Sequence, residues 1–351
     1  MKTPNRLATA TLVAVVVIVG GTLLLNSRAP DRVGASQTPI PSSPASAPAA
    51  TSVAPSNATP TSAAPSPVVQ IPVRHDGGLV FAFGSLWIGD QAAVQRVDPS
   101  TNRSTAIATS GTIQGLWSTD KTVSVSTDGG ELSIDSNTNI AKAAGPLGMP
   151  GFNGNWIVDN SGSLLRFDPT TGHQTGSVPV EGTVDWQPQL LVAFGSIWIG
   201  EGDTHTVVRV DPAKMTIVTR ISGLSTDDSL LTIGSGFGSI WAHANAAGRS
   251  GILYRIDPAT NKVIATIAVG DPAHSTGYGG TVIAFSDNAV WTADSSPTLT
   301  RVDPATNKVV VVGAIQLPAA EWITYGAGSL WVRNQDVAAV QRYDAAAWAK
   351  P

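Results

Sequence analysis

The chain has 351 residues, a formal net charge of −4, no cysteine and ten tryptophans. The acidic balance, with no Lys/Arg cluster, speaks against a nucleic-acid surface. The absence of cysteine excludes disulfides, thiolate zinc sites, thiol nucleophiles and a lipoprotein-type acylated cysteine.

The chain opens with Lys2 and Arg6, followed by an uncharged run from Leu7 to Ser27. As a helix of 1.5 Å rise per residue this run spans about 31 Å, close to the thickness of a bilayer's hydrocarbon core. Positive charge on its N-terminal flank orients that end, residues 1–6, toward the cytoplasm and exports the rest. A cleaved signal peptide is the competing reading. Ser27-Arg28-Ala29 is followed by Pro30, however, and Val33-Gly34-Ala35 lies well beyond the apolar run. An uncleaved transmembrane anchor over 7–27 is therefore expected.

Residues 28–67 are dominated by Pro, Ser, Ala and Thr, as in Pro41-Ser42-Ser43-Pro44-Ala45. Such a segment has too little apolar surface to offset the entropy of ordering, and reads as a disordered linker. Stiffened by proline, it would reach on the order of 120 Å. That length suits holding a domain clear of a membrane or within a cell wall.

From residue 68 a phrase recurs, Arg-(Val/Ile/Phe)-Asp-Pro: Arg96 to Pro99, Arg166 to Pro169, Arg209 to Pro212, Arg255 to Pro258 and Arg301 to Pro304. Arg342-Tyr343-Asp344 is a fading copy and Ser133-Ile134-Asp135-Ser136 a degenerate one. The mean spacing of the seven aspartates is 41 residues. Trp87, Trp156, Trp198, Trp241, Trp291 and Trp331 each precede one of them by 11 to 16 residues. In the second unit Ser124 stands at the tryptophan position, and Trp117 lies seven residues earlier.

One unit reads as four short strands: Leu230 to Ile233, one containing Ser239-Ile240-Trp241, Ile252 to Ile256, and Lys262 to Val269. Asp257-Pro258-Ala259-Thr260-Asn261 is turn chemistry, with proline presetting φ and Asp and Asn bonding back to their own backbone. Four antiparallel strands per 40-odd residues is a propeller blade. The fold expected is an all-β, seven-bladed β-propeller over 68–351. The seventh unit stops after its third strand, and Val68 to Val73 resembles a fourth strand. It is therefore expected to complete the last blade and close the ring, protecting edges that would otherwise aggregate. The tryptophans read as rings filling wedge-shaped gaps between blades, and the Arg-x-Asp-Pro phrase as a turn and capping device.

No His-Glu-x-x-His, Gly-x-Ser-x-Gly or P-loop string occurs. Propeller ligands bind where the second-to-third strand loops and the inter-blade loops converge. His75, His205, His243 and His274 are expected in those loops, with Glu201 beside His205 and Asp227 and Asp228 entering the fifth blade. Trp186, Tyr278 and Trp322, outside the repeat register, are expected in inter-blade loops on the same face. Aromatic walls with a few polar groups suit a small-molecule pocket. Histidines near carboxylates suit metal binding or proton transfer, with His205, His243 and His274 as candidate catalytic groups and Glu201 as a candidate ligand for Mg²⁺ or Ca²⁺. Carboxylates also recur three residues after the register tryptophan, at Asp90, Asp159, Glu201 and Asp294, where accepting backbone N–H groups of the next loop is the plainer role.

Gly84-Ser85-Leu86-Trp87 followed by Arg-Val-Asp-Pro, and Asp303-Pro304-Ala305-Thr306-Asn307, resemble the repeats of YVTN-type and virginiamycin B lyase-like β-propellers. The resemblance implies a seven-bladed, often exported fold with surface-layer or binding roles. The lyase uses a magnesium held by glutamates and a histidine base, on blades reading Trp-Phe-Thr-Glu. Here only Trp198-Ile199-Gly200-Glu201 keeps the glutamate. The expectation is thus a monomeric, membrane-tethered propeller outside the cytoplasm that binds a small molecule, cell-wall component or protein. A metal-assisted lyase or hydrolase is the alternative.

Overall fold

The computed structural model describes residues 62–63, 65–74, 77–118, 122–144, 149–151, 154–159, 161–168, 170–180, 189–201, 204–224, 231–244, 251–270, 282–293, 298–314, 320–334 and 338–349. Two strands precede the repeats, β1 (Ser62–Ala63) and β2 (Val69–Pro72). Blade 1 is β3 (Leu79–Ala82), β4 (Ser85–Asp90), β5 (Ala93–Asp98) and β6 (Arg103–Ala108). Blade 2 is β7 (Ile113–Ser118), β8 (Thr122–Thr127), β9 (Gly130–Asp135) and β10 (Ala141–Ala143). Blade 3 is β11 (Met149–Gly151), β12 (Gly154–Val158), β13 (Ser163–Phe167) and β14 (Gln174–Pro179). Blade 4 is β15 (Gln189–Ala193), β16 (Ser196–Glu201), β17 (Thr206–Asp211) and β18 (Thr216–Ile221). Blade 5 is β19 (Leu231–Gly236), β20 (Ser239–Ala244), β21 (Gly251–Asp257) and β22 (Lys262–Val269). Blade 6 is β23 (Val282–Phe285), β24 (Val290–Ala293), β25 (Thr298–Asp303) and β26 (Lys308–Ala314). Blade 7 is β27 (Ala320–Gly326), β28 (Ser329–Asn334) and β29 (Ala339–Asp344), followed by a 3₁₀ turn, η1 (Ala345–Ala349).

Every blade is antiparallel, and blade 7 has the order β2-β29-β28-β27. Val69 pairs with Arg342 and Pro72 with Ala339, so the strand ahead of the first repeat closes the ring as its sequence suggests. One element falls within the stretch read as linker: β1 lies parallel on β26, making blade 6 five-stranded. The apolar run 7–27 is outside the described residues. Among the described residues no helix is long and apolar enough to cross a membrane.

Alternation sends one face of each blade to the preceding blade and the other to the next. The six register tryptophans sit on the next-blade face, each no more than 1% exposed. Four of them donate Nε1–H to the carbonyl five residues back, as Trp87 to Ala82 and Trp241 to Gly236. This bond spans the hairpin between the first two strands and fixes the ring in the seam. Where strands cross closest, the side chain is absent: a Cβ on Gly326 would meet the Phe81 ring and one on Gly313 the Trp348 ring. Trp348 of η1 packs edge-on against Trp291 at 6.0 Å, joining the C-terminal turn to blade 6.

Candidate functional site

The repeated charged residues are occupied in building the ring. Six of the turn aspartates accept hydrogen bonds from residues two and three further on, as Asp135 from the Asn137 and Thr138 N–H groups at 2.9 Å, and Asp344 accepts the Ala346 N–H. At Asp303 the same pattern, led by the Ala305 N–H and the Thr306 hydroxyl, holds the carboxyl below its ordinary range.

The arginine two residues earlier points across the seam. Arg255 lies over its own Trp241 at 5.0 Å and donates through Nη1 to Pro304 O at 2.5 Å and Asn307 Oδ1 at 2.8 Å in blade 6. Its Nε donates to Ser239 Oγ at 2.8 Å. Arg209 reaches Pro258 and Asn261 in the same way, and Arg96 reaches Ser136 and Asn139. Arg342 reaches Pro99 and Asn102, bolting the last blade to the first. Each asparagine has φ between 57° and 59°, a left-handed conformation that asparagine tolerates, and this aims its amide at the incoming guanidinium. The Arg-x-Asp-Pro phrase is therefore a turn and an inter-blade bolt together. Asn261 and Asn307 serve the neighbouring blade's arginine with their side-chain oxygen, and not their own backbone as the turn chemistry suggested.

Among the described residues, second-to-third strand turns and inter-blade connections meet on one face. Leu224 N–H, just beyond β18, donates to His205 O at 3.2 Å, and Ile113 N–H donates to Gln91 O at 2.7 Å. The carboxylates there are held by their own loops. Asp90 accepts the Arg74 N–H at 2.7 Å and the Gln95 amide at 2.8 Å. Asp159 accepts the Ser161 and Ser163 N–H groups, both at 2.9 Å.

Glu201 is 7% exposed, and its Oε2 accepts the Thr204 hydroxyl at 2.7 Å. By alternation it shares the face of Ile197 and Ile199, which pack with Trp156 of blade 3. His243 is fully buried on the opposite kind of face, beside Trp241 and across from Leu253, in the seam with blade 6. Blade 4's Glu201 and blade 5's His243 thus look away from each other into different seams, and cannot grip one ion. His205 is half-buried with φ of 50° in the turn after β16, close in sequence to Glu201. Trp322 is not in a loop: it lies in β27 opposite Arg333 and packs on the apolar clusters of two seams. The irregular register between Ala320 and Trp322 is what hides this strand from the repeat pattern.

His75, Trp186, Asp227, Asp228, His274, Tyr278 and Asp294 are outside the described residues. Among the described residues no three His, Asp or Glu side chains are grouped to hold a metal ion. Of the donors expected for Mg²⁺ or Ca²⁺, Glu201 and His243 lie in different seams, His205 lies in the turn after β16 near Glu201, and His274 is outside the described residues.

No protein-family model matches the chain, and no curated protein sequence matches it. Among solved structures it is similar to a chain of a structure entitled "Crystal Structure of Mitotic Checkpoint Complex", with a TM-score of 0.62 and 13% identity. The match covers 84% of this chain and 97% of that one. At that identity the likeness establishes the fold.

Proposed function

We propose that this chain is a membrane-tethered binding propeller of the YVTN type, held outside the cytoplasm, that engages a cell-wall component or another protein through the face carrying the second-to-third strand loops. One observation carries this reading. The recurring Arg, Asp and Trp residues are engaged in turns and seams, which leaves the loops that vary from blade to blade free of the repeat's structural roles. The uncharged run 7–27 behind Lys2 and Arg6, and the Pro/Ser/Ala/Thr stretch after it, support the tether. Binding residues are concentrated on loops held by a rigid scaffold, which suits this ring of blades. The lyase-like alternative loses support, because Glu201 and His243 do not converge.

The test uses the full chain. Trp186→Ala with Tyr278→Ala, the aromatics that the sequence leads one to expect in inter-blade loops, is compared with Phe83→Ala and Phe194→Ala in the first-to-second strand turns, scoring co-sedimentation with isolated cell walls. Loss in the loop-face pair alone is expected. Equal retention by both pairs defeats the assignment of the face, and a linker that resists protease on intact cells and is cleaved only after lysis defeats the placement.

A further inference from the structure

Six of the seven seams contain a cluster of buried apolar side chains among the described residues, and the seam between blades 2 and 3 has none. It also lacks every part of the bolt. Ser124 stands where the tryptophan would be, Ser133 where the arginine would be, and Gly172 where blade 3 would offer the asparagine. Trp117 pairs with Ser124 across β7 and β8, so its ring enters this seam from the innermost strand. It lacks the carbonyl partner the register tryptophans have, and its Nε1 is buried without a hydrogen bond.

Glu131 shares that face. It is directly opposite Ser126, which is fully buried. The Ser126 hydroxyl is close enough to act on the carboxyl, yet neither Ser126 Oγ nor Glu131 Oε2 completes a hydrogen bond of good geometry. Blade 2 thus places three incompletely satisfied polar atoms in one seam. Against them blade 3 sets, among the described residues, half-buried Ile157, Leu165 and Phe167, with the polar Gln174 and Ser177 of β14 exposed at the outer edge of the same face. Opening the seam to water satisfies all three atoms and, among the described residues, breaks no apolar cluster and no bolt.

We propose that the seam between blades 2 and 3 is the ring's built-in opening and that the Glu131 carboxyl controls it, closed when protonated and opened when ionised. Burial pushes this carboxyl from 4.5 up to about 7, with the Ser126 hydroxyl pulling the other way. A closed seam therefore keeps a proton that the open one releases. The stabilisation is fully present below pH 4.5 and is lost as pH rises through about 7. Among the described residues no other ionisable group lies beside Glu131 on that face. Lys142 and Asp135 share the face at its far end, where Lys142 acts on Asp135 and the Asp135 carboxyl is held by Asn137 and Thr138. Asp128, in the adjoining turn, accepts the Thr112 N–H, and Ile157, Leu165 and Phe167 carry no charge.

Hydrogen exchange of the full chain, corrected for intrinsic rates, tests this across the pH range. Protection of β8, β9, β12 and β13 is expected to fall by about tenfold per pH unit on the way up to neutrality, while strands of the other five blades stay flat. Glu131→Gln, which mimics the protonated group, is expected to erase the slope, and Ser126→Ala to move the midpoint to higher pH. A slope surviving in Glu131→Gln, a midpoint indifferent to Ser126→Ala, or equal slopes at all seven seams would each overturn the proposal.

Discussion

Replacing Arg255 by alanine removes one complete bolt. Two charge-assisted hydrogen bonds to Pro304 and Asn307 disappear, with a third to Ser239 and the contact over Trp241. Hydrogen bonds to a charged group contribute about 1.5–3 kcal/mol each, and a cation over an indole about 1, but sharing one guanidinium makes them less than additive. A loss of about 4 kcal/mol is expected, or roughly 8 °C in Tm at about 2 °C per kcal/mol for a domain this large. Arg301 supplies the control. It lies over Trp291 at 6.0 Å, but blade 7 ends in η1 and presents no asparagine to it. Arg301→Ala should cost about 1 kcal/mol, the cation–π contribution alone. Thermal melts followed by tryptophan fluorescence would measure both. A cycle combining Arg255→Ala with Asn307→Gly, which keeps the left-handed turn and deletes only the acceptor, should show about 1–2 kcal/mol of coupling. Equal losses at Arg255 and Arg301, or no coupling in the cycle, would refute the bolt.

Gly326→Ala should destabilise by about 1–3 kcal/mol through overpacking against the Phe81 ring, and Gly84→Ala, which faces open space at φ of 68°, by about 1–2 kcal/mol through backbone strain alone. A compensating Phe81→Leu should rescue the first in thermal melts and leave the second unchanged. The turn aspartates set an acid limb: hydrogen bonds hold Asp98, Asp135, Asp168, Asp211, Asp257 and Asp303 below their ordinary value of 3.8. Their stabilisation is present above that value and is lost as pH falls through the lower native values. Melting temperature should therefore drop on acidification below about pH 4, and Asp303→Asn should shallow that drop.

Blade count and strand order were legible because they depend on short-range signals repeated around the chain, and ring closure because one repeat lacks its last strand. A tryptophan-ended strand, an Asp-Pro turn and a 41-residue period leave one architecture, and the missing outer strand of blade 7 points to Val68 to Val73. The functional reading was less legible, because face assignment depends on alternation counted from an exact strand start. His243 and Glu201 occupy positions two and three after their tryptophans, and that single step sends them into opposite seams. Trp322 was misplaced because the irregular pairing at Ala320 conceals its strand. The bolt left a signal that local turn chemistry obscured: Arg96, Arg209, Arg255 and Arg342 are each followed, one blade on, by an asparagine four residues past the turn aspartate. Where Arg166 meets Met215 in place of asparagine, only Pro212 O at 3.5 Å remains within reach.

The unequal seams follow a logic of substitution. The seam between blades 3 and 4 has a weakened bolt but keeps an apolar cluster built on Trp156. Between blades 6 and 7 the bolt is missing, and Trp348 fills the space against Trp291 and Tyr343. Only between blades 2 and 3 are bolt and apolar cluster both replaced by polar groups among the described residues. A closed ring makes such a seam tolerable, because its two blades stay connected through the other six seams and through the β2–β29 pairing that closes blade 7. Opening there converts the ring to an arc in which blades 2 and 3 each lose a packed face and fray, while the other five blades keep both of theirs. An open chain of blades, lacking that closing strand, would have no such restoring connection, so the N-terminal strand is what makes a polar seam compatible with a stable propeller.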